Sequence, residues 1–412
     1  MTSSLKRTET VRWGILAAAT ISMMLIGLYQ YSWTLFVGPI GSELNTTSVA
    51  VQLTFTIFTT VSTFTQPVAG ILADRRGPLL LNILGGIVSG IGWIASSYAT
   101  NIGTLYLTYG IGSLGVGIIY ATAIGTASRW FPDRRGLATG LTAFGFGSGA
   151  AVMNPVISWI IGTQGFRTAF LSAGTIMLLA LTILGFISRY PNPVWTPNSM
   201  NEGARKARRP NSFRPLDMVR TTSWWLIYAA FILTSQTGLL ITSQVVSLGD
   251  SFKLSRDTIL LATILFPISN SLGRIIGGYV SDRLGRQIAM VSFFIVQGLL
   301  SLFLLFFGLN GTAFFAAVAL IGFFWGPIFT FFPSLVVDYY GQGHATSNTA
   351  ITYTAKAWGG WIGGYLTAYI SSLYGFTPSI LLSILFSFTA AMLVSPYILR
   401  KPASQTWENP PR

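Results

Sequence analysis

The sequence predicts an all-α membrane protein of twelve transmembrane helices, arranged as two six-helix bundles related by pseudo-symmetry. Three observations predict it. The 412 residues are 51% hydrophobic and only 9% charged, with a mean hydropathy of +0.60; that balance suits lipid, not water. Apolar stretches of about 20 residues, long enough to cross a bilayer, recur along the whole chain. A short polar motif also appears twice, 208 positions apart, at the same place in each half.

The stretches fall near 14–36, 49–72, 79–99, 103–127, 137–161, 168–188, 223–247, 257–281, 287–308, 312–336, 347–373 and 377–398. The first follows a short tail carrying Lys6, Arg7 and Arg12, and no small-residue cleavage site comes after it. It reads as a retained helix, not a signal peptide. Between the sixth and seventh lies a polar, Pro-rich link with Arg189, Arg205, Lys206, Arg208, Arg209, Arg214 and Arg220 against only Glu202 and Asp217. The expected organisation is therefore a bundle over 1–188, a basic linker over 189–222 and a second bundle over 223–412. With the N-terminus in the cytoplasm, 20 of the 25 Lys and Arg residues fall on the cytoplasmic side, and only Arg167, Lys253 and Arg256 fall in outer loops. The positive-inside rule then places both termini and the linker inside a cell membrane. Abundant glycine (44 residues) suits close helix packing in lipid.

Composition also excludes. There is no cysteine and a single histidine, His344, so a thiol nucleophile, a zinc site and a Ser-His-Asp triad are all disfavoured. The net charge of +14 is spread over loops on one side of the membrane and forms no basic, aromatic-interleaved domain, which argues against nucleic acid. No catalytic cluster is visible, so an enzyme is not expected and no cofactor is implied. A channel would need a ring of like groups, which the sequence lacks. A transporter-like sensor would bind its ligand without moving it.

Two charges stand out. Arg274 lies inside the apolar run from Ile259 to Val280, and Lys356 inside the run from Thr349 to Ile370. All 11 acidic residues lie outside such runs. A charge at the bilayer centre costs about 2.5–3.5 kcal/mol even on insertion scales, and marks a functional site by default. Two cations without a carboxylate at their depth imply a negatively charged cargo. The bland alternatives are a Lys356 that snorkels to the interface and an Arg274 that bonds backbone carbonyls between helices. Asn270, one turn before Arg274, orients the guanidinium, touches cargo or glues helices. Gln66, which the repeat sets opposite Arg274, and Gln52 are inward-facing polar candidates. Gly359, Gly360, Gly363 and Gly364 suit close packing or bending.

The repeats carry a resemblance. Gly70-Ile-Leu-Ala-Asp74-Arg75-Arg-Gly77 follows the second span, and Gly278-Tyr-Val-Ser-Asp282-Arg283-Leu-Gly285-Arg286 follows the eighth. Gly136-Leu-Ala-Thr139 is echoed by Gly343-His-Ala-Thr346. In these residues the chain resembles the major facilitator superfamily. More narrowly, Gln30-Tyr-Ser-Trp-Thr-Leu35, Arg129-Trp-Phe-Pro-Asp-Arg-Arg-Gly136, Arg274 and Lys356 resemble the oxalate/formate antiporter family and its relatives, the monocarboxylate transporters.

The resemblance implies a monomer that binds small carboxylate anions between its halves. In oxalate carriers two cations hold the two carboxylates inside an aromatic cage, which by position is Tyr31, Tyr120, Phe146, Trp325, Phe329 and Tyr353 here. Several of these positions favour Tyr or Trp in oxalate carriers, and Phe146, Phe329 and Tyr353 read as substitutions; the cage then has fewer hydroxyls, which argues against oxalate itself and keeps a monocarboxylate open as cargo. Asp74, Arg75, Asp282 and Arg283 take the part of gating charges at helix ends. Pro78-Leu79 replaces the usual basic pair after the first copy, so a weaker charge network is expected in that half.

Depth gives an independent check. At 1.5 Å per residue, Arg274 lies about 12 Å from the end of its span at Asp282, Lys356 about 13 Å past Ser347 and Tyr120 about 13 Å before Arg129. Phe146 and Phe329 fall at similar depths, and Tyr31 sits higher. The expected function is an antiporter for small organic anions working by alternating access. The alternative is a proton-coupled lactate- or pyruvate-type monocarboxylate transporter. Such carriers often titrate an acid inside the membrane; none is found here, and the nearest candidate, Asp257 at the outer end of span eight, lies about 25 Å along the helix from Arg274.

Overall fold

The computed structural model describes residues 2–131, 134–191, 213–341 and 344–402. The middle of the basic linker (192–212), Pro132–Asp133 and Gly343 lie outside them. Nine helices among the described residues are long and apolar enough to cross a membrane. One of these, Leu137–Ile187, has 51 residues, more than twice what a ~30 Å core needs. It is two crossings, spans five and six, joined at Gly165, whose φ of 83° breaks the helix. Only glycine adopts such a φ without strain. Span eleven runs in pieces from Ala345 to Tyr374, and span twelve is Thr377–Leu393. Among the described residues the total is twelve crossings, at the positions the apolar runs indicate.

Their ends and continuity differ from the hydropathy reading. Span one is longer than 14–36 and consists of three helices, Thr2–Ile26, Leu28–Tyr31 and Trp33–Glu43. Pro39 does not end it, because one lost backbone bond in a membrane helix can be tolerated. Span twelve stops at Leu393, before Pro396, whose ring disfavours a helical Ser395. Span ten breaks at Gly326–Pro327, between Gly311–Trp325 and Ile328–Tyr340. Span eleven breaks at Thr354 and then opens into a wide π-helical turn over Trp361–Leu366. Interrupted helices of this kind build midplane sites in transporters, where their irregular backbone is buried in protein.

Spans two (Ser48–Arg76), three (Leu79–Ser97), four (Ile102–Trp130), seven (Thr222–Ser251), eight (Arg256–Leu284) and nine (Arg286–Phe307) are unbroken. The first and last six spans meet along three seams. Span eight packs on span five, span eleven on span two, and the last helix of span one on span seven.

Glycine sets how closely the spans approach. A Cβ on Gly27 would stand 1.9 Å from the Phe146 carbonyl oxygen, and one on Gly149 would stand 2.0 Å from that of Met24. Spans one and five therefore touch backbone to backbone, as small residues permit in lipid. Gly359 and Gly363 do the same for spans eleven and seven, with Cβ positions 2.5 Å from the Ser235 side chain and 2.7 Å from the Gln236 carbonyl oxygen. Gly360 and Gly364 face the other way, onto Thr59 and Thr56 of span two. This contact is testable. Gly149→Val forces an overpacking whose cost is about 1–3 kcal/mol, and should lower the melting temperature of the detergent-purified protein by several degrees. Gly162→Ala, where the added carbon meets nothing within 4 Å, should leave it unchanged.

Candidate functional site

The close approach at Gly27 presses the one-turn helix Leu28–Tyr31 against span five. Gln30 and Tyr31, adjacent in that turn, are both buried. Span eight brings Asn270 and Arg274 to the same level, and span eleven brings Lys356 immediately after its break. Arg274 is 4% exposed and Lys356 3% exposed. Lys356 does not snorkel: its Nζ donates to Gln30 Oε1 at 2.8 Å, across the boundary between the halves. Arg274 does not glue carbonyls: its Nη2 donates to Asn270 Oδ1 at 3.1 Å, while Nε and Nη1 make no well-formed hydrogen bond. The Tyr120, Tyr31 and Tyr353 hydroxyls surround the guanidinium. Among the described residues neither cation is in a salt bridge; the ion pairs sit at span ends.

The aromatic residues form a closed ring around these charges. Tyr31 meets Phe146 at 5.7 Å between centroids, Phe146 meets Tyr120 at 5.3 Å, and Tyr120 meets Tyr353 at 6.2 Å. Tyr353 continues to Phe329 at 5.8 Å, Phe329 to Trp325 at 5.1 Å, and Trp325 to Phe266 at 5.8 Å. Phe266 returns to Tyr31 at 6.3 Å. Three of the seven rings come from the first half and four from the second. The Tyr353 hydroxyl donates to that of Tyr120 at 3.3 Å, a further link across the halves. Arg274 Cζ lies 4.6 Å from the Phe329 centroid and Lys356 Nζ 5.7 Å from the same point, so both charges lie against one ring. Lys356 Nζ is also 5.8 Å from Phe146. Cation–π attraction of about 0.5–2 kcal/mol per contact offsets part of the cost of burying them.

Asn270 is a junction. Its Oδ1 accepts from both Arg274 and the Tyr31 hydroxyl (each 3.1 Å), and its Nδ2 reaches the Gly322 carbonyl at 3.5 Å. Tyr31, read from depth alone as sitting higher, reaches into the cluster through this bond. Trp325 packs over Gly238 of span seven and backs Phe329. Gln66 is half-buried, and none of these contacts reaches it. Gln52 belongs to a different contact: its Oε1 accepts from Trp33 Nε1 at 3.1 Å and its Nε2 donates to the Ser243 carbonyl at 2.6 Å.

Two of the cluster's residues were not among the sequence candidates. Phe266 is one more apolar residue in an apolar run, yet it shares the helical face of Asn270 and Arg274 at four-residue spacing. Gln30 stood in the span-one motif and was not singled out.

The charges expected to gate pair within their own halves. Asp74 Oδ1 accepts from Arg129 at 2.7 Å. Asp282 meets Arg286 at 3.2 Å, and Arg286 meets Asp338 at 2.7 Å. Arg75 is exposed and joins neither pair, and Arg283 lies over the Tyr279 ring at 4.6 Å. The cation of the first half comes from span four, because Pro78 stands where the second half has Arg286.

The family model of the major facilitator superfamily matches residues 15–364 and 245–412. The chain is 33% identical over 387 residues to the oxalate:formate antiporter of Oxalobacter formigenes, covering 93% of this chain and 91% of that one. It is 26% identical to an uncharacterized MFS-type transporter of Escherichia coli, over 84% and 85% of the two chains. A partial likeness, 34% identity over 33% of this chain and 27% of the relative, links it to human monocarboxylate transporter 14. With its twelve crossings, its repeated loop motif and these matches, the chain belongs to the major facilitator superfamily.

Proposed function

We propose that this protein is a secondary active transporter that exchanges small organic anions, carboxylates of the oxalate and formate kind, by alternating access. The observation that carries the reading is the pair of buried cations without a counter-charge, enclosed by aromatic rings drawn from both halves. The likeness to an oxalate:formate antiporter over most of both chains supports it. In this reading Arg274, Lys356, Tyr120, Tyr31, Asn270, Phe146, Trp325, Phe329 and Tyr353 form the binding site. The bundles are 1–188 and 223–412, and the basic face, with both termini, lies in the cytoplasm beneath a cell membrane.

The chemistry follows from the two side chains. Arg274 offers a planar fork suited to a carboxylate, and Lys356 a compact point charge. An ion pair at about 4 Å is worth roughly 4 kcal/mol at an effective dielectric of 20, comparable with the cost of burying each cation. A loaded carrier thus closes over neutralised charges. An empty one must close over two cations held only by neutral groups, which raises its barrier and favours exchange over net uptake. The phenyl and phenol walls exclude water and reject large cargo. The partial likeness to monocarboxylate transporters favours a single-carboxylate cargo as the second reading.

Reconstituted vesicles test the site. Arg274→Ala should abolish uptake of oxalate, formate, lactate, pyruvate and acetate alike; uptake at the normal rate would remove Arg274 from the site. Lys356→Gln should slow a dicarboxylate about 10- to 100-fold, the worth of a charge-assisted hydrogen bond, and a monocarboxylate far less. Equal losses would make Lys356 structural.

A further inference from the structure

We propose that Gln30 lets one site accept both one-carboxylate and two-carboxylate anions, by standing in for the second carboxylate when it is missing. The inference rests on the carboxylate reading above. It starts from an inequality between the two cations. Arg274 has idle Nε and Nη1 donors, whereas Lys356 Nζ is already held by Gln30 Oε1 at 2.8 Å. An ammonium only donates, so the oxygen end of the amide must face it. The other end, Gln30 Nε2, is buried beside the Tyr31 hydroxyl without a well-formed hydrogen bond. A buried donor left idle is costly, and this one shares its amide carbon with the oxygen on Lys356, so it stands beside that charge.

A monocarboxylate needs one cation and takes Arg274. Lys356 keeps its neutral acceptor, and no bare ammonium is enclosed when the site closes. A dicarboxylate brings a second carboxylate to Lys356. That group displaces Gln30 Oε1, and a turn of the amide lets Nε2 donate to the same carboxylate. The ammonium is thus partnered with either cargo, and the idle amide donor is used when the larger one binds. Asn270, the other buried amide of the cluster, cannot do this, because its oxygen already accepts from Tyr31 and Arg274 and its nitrogen is turned to Gly322.

The test is the ratio of radiolabelled oxalate to formate exchange rates, read within one vesicle preparation so that differences in folding and insertion cancel. Gln30→Leu, which strands Lys356 when formate is bound, should raise the oxalate:formate ratio about tenfold or more, the scale of one charged hydrogen bond. Gln30→Glu, which gives Lys356 a permanent counter-charge, should lower it by a similar factor. A ratio that stays put in both variants, or moves the same way in both, overturns the role of Gln30. A wild-type protein that exchanges neither anion overturns the carboxylate reading itself, and is told apart by failing before any variant is made.

Discussion

Two positive charges buried against one phenyl ring are the constraint to which the middle of this protein answers. In the low-dielectric interior, each would be excluded if its surroundings were purely apolar. The structure meets the cost with weak partners: the faces of Phe329 and Phe146, the amide oxygens of Asn270 and Gln30, and a circle of phenol hydroxyls. None of these carries a full negative charge. In the proposed reading, that shortfall is what a carboxylate fills.

The same turn of span one that carries Gln30 and Tyr31 is tied to the contacts between the halves. Asn154 of span five accepts from Ser32 Oγ at 2.6 Å and donates to the carbonyls of Tyr31 and, across the seam, Thr263. Gln52 of span two joins Trp33 to the Ser243 carbonyl of span seven. Two buried amides thus grip backbone oxygens of the opposite half, on the side away from the basic loops, and both hold span one next to its break. On the basic side the charge pairs differ between the halves: aspartate on span two with arginine on span four, but arginine at the start of span nine between an aspartate on span eight and one on span ten. A bistable element needs contacts that can be exchanged as units; neutral amide contacts on one face and ion pairs on the other supply two different sets.

Much of this was legible in the sequence, and the reasons differ residue by residue. The twelve crossings follow from apolar length alone. Arg274 and Lys356 were conspicuous because charge is so improbable at their depth, Tyr120, Phe146 and Phe329 followed from helical rise together with family position, and Tyr353 from family position alone. Hydropathy could not show the breaks at Gly27, Ser32, Gly326 and Thr354, since a broken apolar helix has the same composition as a whole one. Gln30 was passed over because it lies in that irregular turn, and Tyr31, higher in the membrane, reaches Asn270 through its hydroxyl. Phe266 was hidden by its apolar neighbours. Gln66 shows the limit of repeat symmetry: the position matching Arg274 in the first half carries a polar residue, but no contact of the cluster reaches it, because both cations come from the second half.

If the buried charges move freely only when neutralised, uptake must depend on what is waiting on the other side. The direct measurement is the initial rate of labelled oxalate entry into vesicles, with and without unlabelled oxalate or formate inside, at matched pH and membrane potential. Entry about tenfold faster or more into anion-loaded vesicles is the expected result, the factor that a barrier difference of about 1.4 kcal/mol would give. Equal rates into loaded and empty vesicles would contradict it, since the empty site would then close over its two cations as readily as the filled one.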